Sequence, residues 1–167
     1  LTGPISGRPK SATFRTADVV GIDTLVKVAK NTYADCPNDE SRDMFIVPAY
    51  VEKLIENKWL GDKTGNGFFK KVKNAEGKSE IHVLNLKTFE YTPSAKAKFA
   101  TVDAAKQIDD VKSRIKALHH GTDKAGDFYR NVTALVNKYV SFRIPEIADE
   151  LYKIDDAMKA GFGWENG

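Results

Sequence analysis

The sequence predicts a mainly α-helical bundle carrying one small β hairpin near residues 68–86. Three observations predict it. Apolar residues recur at helical spacing through most of the chain, most regularly beyond residue 100. One short segment reads instead as two strands, 68–73 and 79–86, around Asn74-Ala75-Glu76-Gly77, a hairpin turn. Between helices and hairpin, Gly61, Gly65 and Gly67 fall within seven residues, which marks a structured loop with unusual backbone angles.

Residues 1–10 hold Gly3, Pro4, Gly7 and Pro9 and read as irregular entry chain. Ser11 to Val20 predicts a short helix with Ser11 or Thr13 as cap, broken by Gly21. From Asp23, a candidate N-cap, Leu25, Val26, Ala29 and Tyr33 recur at helical spacing until Cys36-Pro37-Asn38. A short helix near 39–45 and a longer one over 48–58 follow, with Pro48 in the first turn. After the hairpin, residues 87–101 are polar and read as a linker. Ala104, Ile108, Val111, Ile115 and Leu118 then form one apolar seam on a helix of about 102–120, stopped by Gly121. Phe128, Val132, Leu135, Tyr139 and Phe142 repeat with the same alternation over about 125–144, which Pro145 ends or kinks. A last helix spans about 150–160 and ends at Gly161. Packing of such helices in a bundle is the expectation.

Composition excludes several classes. Hydrophobic residues make up 41% and charged residues 29%, enough to bury a core. No apolar run approaches the ~18 residues of a membrane span, so no membrane partner is expected. No secretory signal is visible, and one cysteine, Cys36, fits a reducing, cytoplasmic setting. The net charge of +3 is spread among acids rather than gathered into a basic stripe, so no nucleic-acid partner is expected.

The chemistry-bearing residues form no catalytic constellation. Gly65-Asn66-Gly67 gives GxG, but a helix precedes it and a strand follows, the reverse of a dinucleotide fingerprint. Lys63-Thr64 follows Asp62 rather than glycine and fails as a phosphate loop. His119 and His120 point about 100° apart on a helix, and His82 is distant, so no metal site is expected. Asp109-Asp110 and Asp155-Asp156 diverge likewise, and Asp110 with Arg114 reads as an i,i+4 surface pair. Asp18 and Asp23 are expected to anchor helix ends, and Lys63 to order its loop by donating to carbonyls. No catalytic, cofactor-binding or metal-binding residue is therefore expected in this chain.

Two segments resemble a known family. Gly7-Arg8-Pro9-Lys10-Ser11-Ala12-Thr13 through Val20-Gly21-Ile22-Asp23-Thr24 resembles one signature of the 3-hydroxyacyl-CoA dehydrogenase C-terminal domain. Leu60-Gly61-Asp62-Lys63-Thr64-Gly65-Asn66-Gly67-Phe68-Phe69 resembles its closing signature, and the two stand in family order. The Arg-Pro-Lys-Ser-Ala-Thr version is similar to long bacterial and archaeal members, often fused to an enoyl-CoA hydratase. Ile154 to Gly167 resembles the first signature again, with Gly163-Trp164-Glu165-Asn166-Gly167 set against Gly7-Arg8-Pro9-Lys10-Ser11. Tandem copies follow from the resemblance. Residues 1–72 would be most of the first repeat, 73–101 a hairpin and linker, and 102–167 a linker helix with the first half of a second, degenerate repeat.

The resemblance implies a bundle like the 6-phosphogluconate dehydrogenase C-terminal domain. It implies the substrate-cleft and dimerisation region of an NAD-dependent L-3-hydroxyacyl-CoA dehydrogenase of fatty-acid β-oxidation. The family's His-Glu pair and cofactor loop belong to an NAD-binding Rossmann domain, so no cofactor is expected here and the chain alone is expected to be inactive. Implied partners are acyl-CoA, that NAD-binding domain and a second copy in a homodimer. Arg8, Lys10 and Arg15 are the candidate substrate contacts, positioned to meet CoA phosphates. Gly126-Asp127-Phe128-Tyr129-Arg130-Asn131 offers the second copy's version of a GFxxNR pattern, with Asn131 one place late. The alternative is a non-catalytic helical interaction or scaffold module.

Overall fold

A computed structural model describes residues 1–167. It contains seven α-helices and one three-stranded antiparallel sheet, arranged as two compact units. One unit is Thr13–Lys96; the other joins Leu1–Ala12 to Ala97–Gly167. No helix is long and apolar enough to cross a membrane.

The unit of residues 13–96 begins with α1 (Ala12–Val20) and α2 (Ile22–Asp35), separated by Gly21 at φ +103°. Gly21 is the N-cap of α2, so Asp23 sits inside the first turn rather than at the cap, where its charge still favours the positive helix end. The α2 helix ends with the Cys36 N–H donating to Thr32 O at 3.0 Å, as the Cys-Pro-Asn run predicts. Residues 39–45 form only a 3-10 turn, Arg42–Phe45, and α3 follows over Ala49–Glu56 with Pro48 at its N-cap. Ile22, Val51, Leu54 and Phe68 make the core.

The hairpin pairs β1 (Phe69–Lys73) with β2 (Ser79–Leu84), Lys71 facing Ile81. Asn74 Oδ1 closes the turn by accepting from the Glu76 and Lys78 amides at 3.0 and 2.9 Å. The stretch expected as linker contributes β3 (Tyr91–Pro93), antiparallel to β2. Its Phe89 and Tyr91 pack on the core beside Trp59, so residues 87–96 are part of the folded unit. A polar run with two well-placed aromatics was enough to close the sheet.

The second unit holds α4 (Ala100–Ala105), α5 (Val111–His120), α6 (Lys124–Ile147) and α7 (Leu151–Phe162) around Ala105, Leu118, Ala125 and Tyr129. The single helix expected over 102–120 is broken. Asp110 turns extended, and its side chain caps α5 by accepting from the Ser113 amide at 2.8 Å. Arg114 does not pair with Asp110. Its guanidinium donates to the Ile108 and Asp109 carbonyls of the break, and to Ile5 O, each at 3.0 Å. Pro145, expected to end or kink this helix, lies inside α6, which continues only two residues beyond it to Ile147. Asp123 caps α6 with one oxygen and accepts the Thr101 amide of α4 with the other.

Candidate functional site

The most constrained construction in residues 13–96 is the Gly61–Phe69 loop. Asp18, on α1, is only 1% exposed. Its Oδ1 accepts the Phe68 amide and its Oδ2 the Phe69 amide, each at 2.9 Å. Burial pushes this carboxyl above the usual range, opposed by the two amide donors. Asp18 was expected to anchor a helix end; it anchors a loop 50 residues away instead.

The glycines make that approach possible. A Cβ on Gly61, at φ +96°, would lie 2.2 Å from Asp18 O. One on Gly67 would lie 2.2 Å from Asp18 Oδ1. Only chain without side chains fits against this carboxylate. Thr64 Oγ1 accepts the Leu60 amide at 2.9 Å and lies 3.1 Å from Asn66 O. Tyr91 donates to Gly67 O at 2.7 Å, with burial pushing its hydroxyl up to about 12.

Two ion pairs flank the loop. Arg15 holds Asp62 with both guanidinium nitrogens, and the bond keeps the Asp62 carboxyl below its ordinary value. Lys63 pairs with Asp23 rather than with loop carbonyls and lowers that carboxyl likewise. A charged partner on α2 outcompetes neutral acceptors for an ammonium.

Gly65-Asn66-Gly67 does not cradle a dinucleotide. The loop leads into β1 rather than into a helix, and the Asp18 carboxyl occupies the space beside Gly67. Nor do three His, Cys, Asp or Glu side chains converge to hold a metal. His119 Nε2 lies 3.0 Å from Thr133 Oγ1.

In the other unit, the N-terminal segment meets the C-terminal one. Gly7 (φ +69°, ψ 27°) follows a 3-10 turn, Pro4–Ser6, and Gly163 (φ +63°, ψ 31°) follows α7; both are left-handed caps. The Glu165 amide donates to Gly7 O at 2.8 Å. The Arg8 guanidinium sits 4.0 Å over the Trp164 ring, and burial lowers its pKa. A Cβ on Gly7 would meet Glu165 Cβ at 3.3 Å, and one on Gly163 would meet Pro9 Cγ at 3.7 Å. These contacts are reciprocal. Each glycine touches the residue two places beyond the other, and the residues one place beyond each touch one another. Arg114 adds a bond to Ile5 O and lies 3.9 Å from Glu165. Tyr129 donates to Leu1 O at 2.7 Å.

The three candidate contacts are thus distributed. Arg8 and Lys10 fall in the unit with α4–α7, Arg8 on Trp164 and Lys10 exposed. Arg15 falls in the other unit with its fork on Asp62. The sequence gives Asp18 and Arg114 local roles; the partners it does not announce are the Phe68 and Phe69 amides for Asp18 and the Ile5 carbonyl for Arg114, which lie far along the chain.

The Gly61–Phe69 loop, locked to α1, is the structural content of the second signature. Residues 6–71 match the model of the 3-hydroxyacyl-CoA dehydrogenase C-terminal domain. The C-terminal-domain match therefore runs from the 3-10 turn before Gly7 into β1 and takes in the whole Asp18 clamp. Among curated proteins, the chain is 44% identical over all its 167 residues to a probable 3-hydroxyacyl-CoA dehydrogenase of Bacillus subtilis (strain 168), covering 20% of that protein. It is 27% identical over 164 residues, 96% of the chain, to a putative fatty acid oxidation complex trifunctional enzyme of Rickettsia felis, covering 21% of it. A probable 3-hydroxyacyl-CoA dehydrogenase of Deinococcus radiodurans is 41% identical over 78 residues, 47% of the chain and 22% of that protein. The chain spans about a fifth of the length of these relatives. No solved structure matches it.

Proposed function

We propose that this chain is the helical, substrate-cleft and pairing region of an NAD-dependent L-3-hydroxyacyl-CoA dehydrogenase of fatty-acid β-oxidation. The observation that carries the reading is the Asp18-clamped glycine loop within the matched residues 6–71. In the whole enzyme, a separate nucleotide-binding domain would hold the NAD⁺ that accepts hydride from the 3-hydroxyl carbon, and a base of that domain would take the hydroxyl proton. The region described here closes over the acyl-CoA and performs no bond chemistry of its own, so the isolated chain is inactive. Cytoplasmic residence suits such an enzyme.

The chain carries parts of two tandem copies. The matching left-handed caps at Gly7 and Gly163, and their reciprocal contacts, support this, because two related segments around a local two-fold axis touch in that pattern. Pairing, within one chain or between two, is then the second role of the helices.

For the CoA phosphates, Lys10 is the foremost contact, since Arg8 lies on Trp164 and Arg15 on Asp62. Calorimetric titration with acetoacetyl-CoA, and separately with NADH, tests the reading. Acetoacetyl-CoA is expected to bind and Lys10→Ala to weaken it. Saturable NADH binding, or silence toward acetoacetyl-CoA, overturns the substrate role.

A further inference from the structure

The clamped loop encloses a reactive dipeptide. The chain has two Asn-Gly pairs, 66–67 and 166–167, and only the first lies within the Asp18 clamp. In such a pair the backbone nitrogen of the glycine can attack the asparagine Cγ, because no Cβ hinders its approach. A new N–C bond forms, the side-chain amide leaves as ammonia, and a cyclic succinimide remains. Water then adds to one of the two ring carbonyls and breaks its C–N bond. The product is aspartate, or isoaspartate with the chain routed through the side chain.

The structure ties down the peptide that this reaction must turn. The nucleophile, Gly67 N–H, donates to Phe69 O at 3.2 Å. The oxygen of the same peptide, Asn66 O, accepts Gly61 N–H at 2.7 Å and lies 3.1 Å from Thr64 Oγ1. Gly67 O accepts the Tyr91 hydroxyl at 2.7 Å. Held at both its oxygen and its nitrogen, the peptide cannot swing that nitrogen toward Cγ. Asp18 closes the remaining space, since a Cβ on Gly67 would lie 2.2 Å from its Oδ1. The Asn66 side chain is placed differently: its Oδ1 is buried without a hydrogen-bond partner.

We propose that Asn66 is a self-modification site, a deamidation site that the Asp18 clamp holds silent and that reacts when the loop opens. The change is one-way. Aspartate at 66 would put a carboxylate where Asn66 Oδ1 finds no donor, in the same loop as the Asp18 carboxyl. Isoaspartate would add a backbone carbon to a path fixed at Gly61 and at Phe69. Neither product refits the clamp, so each reaction removes a molecule from the clamped population. The site stands apart from the substrate reading and does not depend on it.

Incubation of the full chain at mildly alkaline pH, followed by mass-spectrometric mapping of the tryptic peptide Thr64–Lys70, tests the proposal. Deamidation at Asn66 is expected to run at least about tenfold slower in buffer than in denaturing guanidinium, because a local opening must precede it. Asp18→Asn, which loses one of the two amide acceptors, is expected to raise the rate in buffer roughly tenfold with unchanged far-ultraviolet circular dichroism. Tyr91→Phe, which loses only the hydroxyl bond to Gly67 O, is expected to raise it by a smaller factor and serves if Asp18→Asn does not fold. Gly126→Ala, which weakens the other unit, is expected to leave the rate at the wild-type value. Equal rates in buffer and in guanidinium, folded clamp variants that age no faster than wild type, or an equal acceleration by Gly126→Ala overturns the proposal.

Discussion

Replacing Asp18 by alanine removes the only acceptor for two amides. The Phe68 amide is buried and the Phe69 amide partly buried. An unsatisfied buried donor costs about 1–3 kcal/mol, so Asp18→Ala is expected to cost roughly 2–5 kcal/mol, with relief of carboxylate burial drawing the value toward the lower end. Asp18→Asn keeps one acceptor but turns an NH₂ toward the second amide, for a loss of about 1–2 kcal/mol. Urea unfolding at constant pH, followed by Trp59 fluorescence, measures both. The pH dependence has a definite sign. Burial raises the Asp18 pKa above its unfolded value of 3.8, so the folded state binds this proton more tightly. Its proton-linked contribution is fully present below 3.8 and is lost as pH rises through the raised folded value. The stability gap between wild type and Asp18→Ala is therefore expected to widen as pH falls from neutral toward 4. A gap under about 0.5 kcal/mol at pH 7, the size of an ordinary surface change, refutes the clamp. A gap that narrows on acidification refutes the argument from burial.

Other perturbations probe other joints. Gly67→Ala puts a methyl 2.2 Å from Asp18 Oδ1 and is expected to cost about 1–3 kcal/mol, measured by the same unfolding curve. Gly126→Ala brings a methyl 2.0 Å from Gly121 O at the start of α6 and is expected to destabilise the α5–α6 junction by a similar ~1–3 kcal/mol; slower loss of amide protection there than elsewhere would argue otherwise. Asp62 and Asp23 have lowered pKa values, so the stability they contribute is present above 3.8 and lost as pH falls through their folded values. Asp62→Asn is expected to flatten that acid limb and to matter less in high salt, because the Arg15 pair is half exposed. Arg8→Ala is expected to red-shift Trp164 emission and cost about 0.5–2 kcal/mol, the range of a partly buried cation–π contact; an unchanged spectrum would mean the stack does not persist in solution.

Local chemistry was legible in the sequence where it was sufficient. Gly21, Cys36-Pro37 and the Asn74–Gly77 turn each end or reverse an element through their own backbone preferences, and the structure follows them. The glycine loop was legible for the same reason, since Gly61 and Gly65 adopt positive φ. The break between α4 and α5 was hidden because Ala104, Ile108 and Val111 stay in helical phase across it. Periodicity reports phase and not continuity, so only the cap at Asp110 marks the break. On α6 the predicted seam is correct to Val132, after which Val136 and Val140 line a groove between α6 and α7 while Leu135 and Phe142 stay half exposed. Two apolar stripes lie side by side there, and tertiary packing alone chooses between them. The partners of Arg15, Lys63 and Asp18 stand 47, 40 and 50 residues away, and no local pattern announces them.

That distribution separates the two halves of the functional reading. The matched segment is over-determined. One buried carboxylate, two glycines without room for a Cβ and two flanking ion pairs fix a single nine-residue path, and a path so fixed is suited to holding one edge of a cleft in register. The α6–α7 pair is the opposite case. Asp123 and Arg130 fix its start through five bonds to backbone groups, whereas farther along Val136, Val140, Leu151 and Ile154 line an open groove together with Asn137, Ser141 and Asp155. The reciprocal contacts at Gly7 and Gly163 tie that hairpin's final cap to the first signature, through Glu165 N–H on Gly7 O. Whatever orders α7 therefore also orders the segment holding Arg8 and Lys10, through the Glu165–Gly7 hydrogen bond and the Arg8–Trp164 stack.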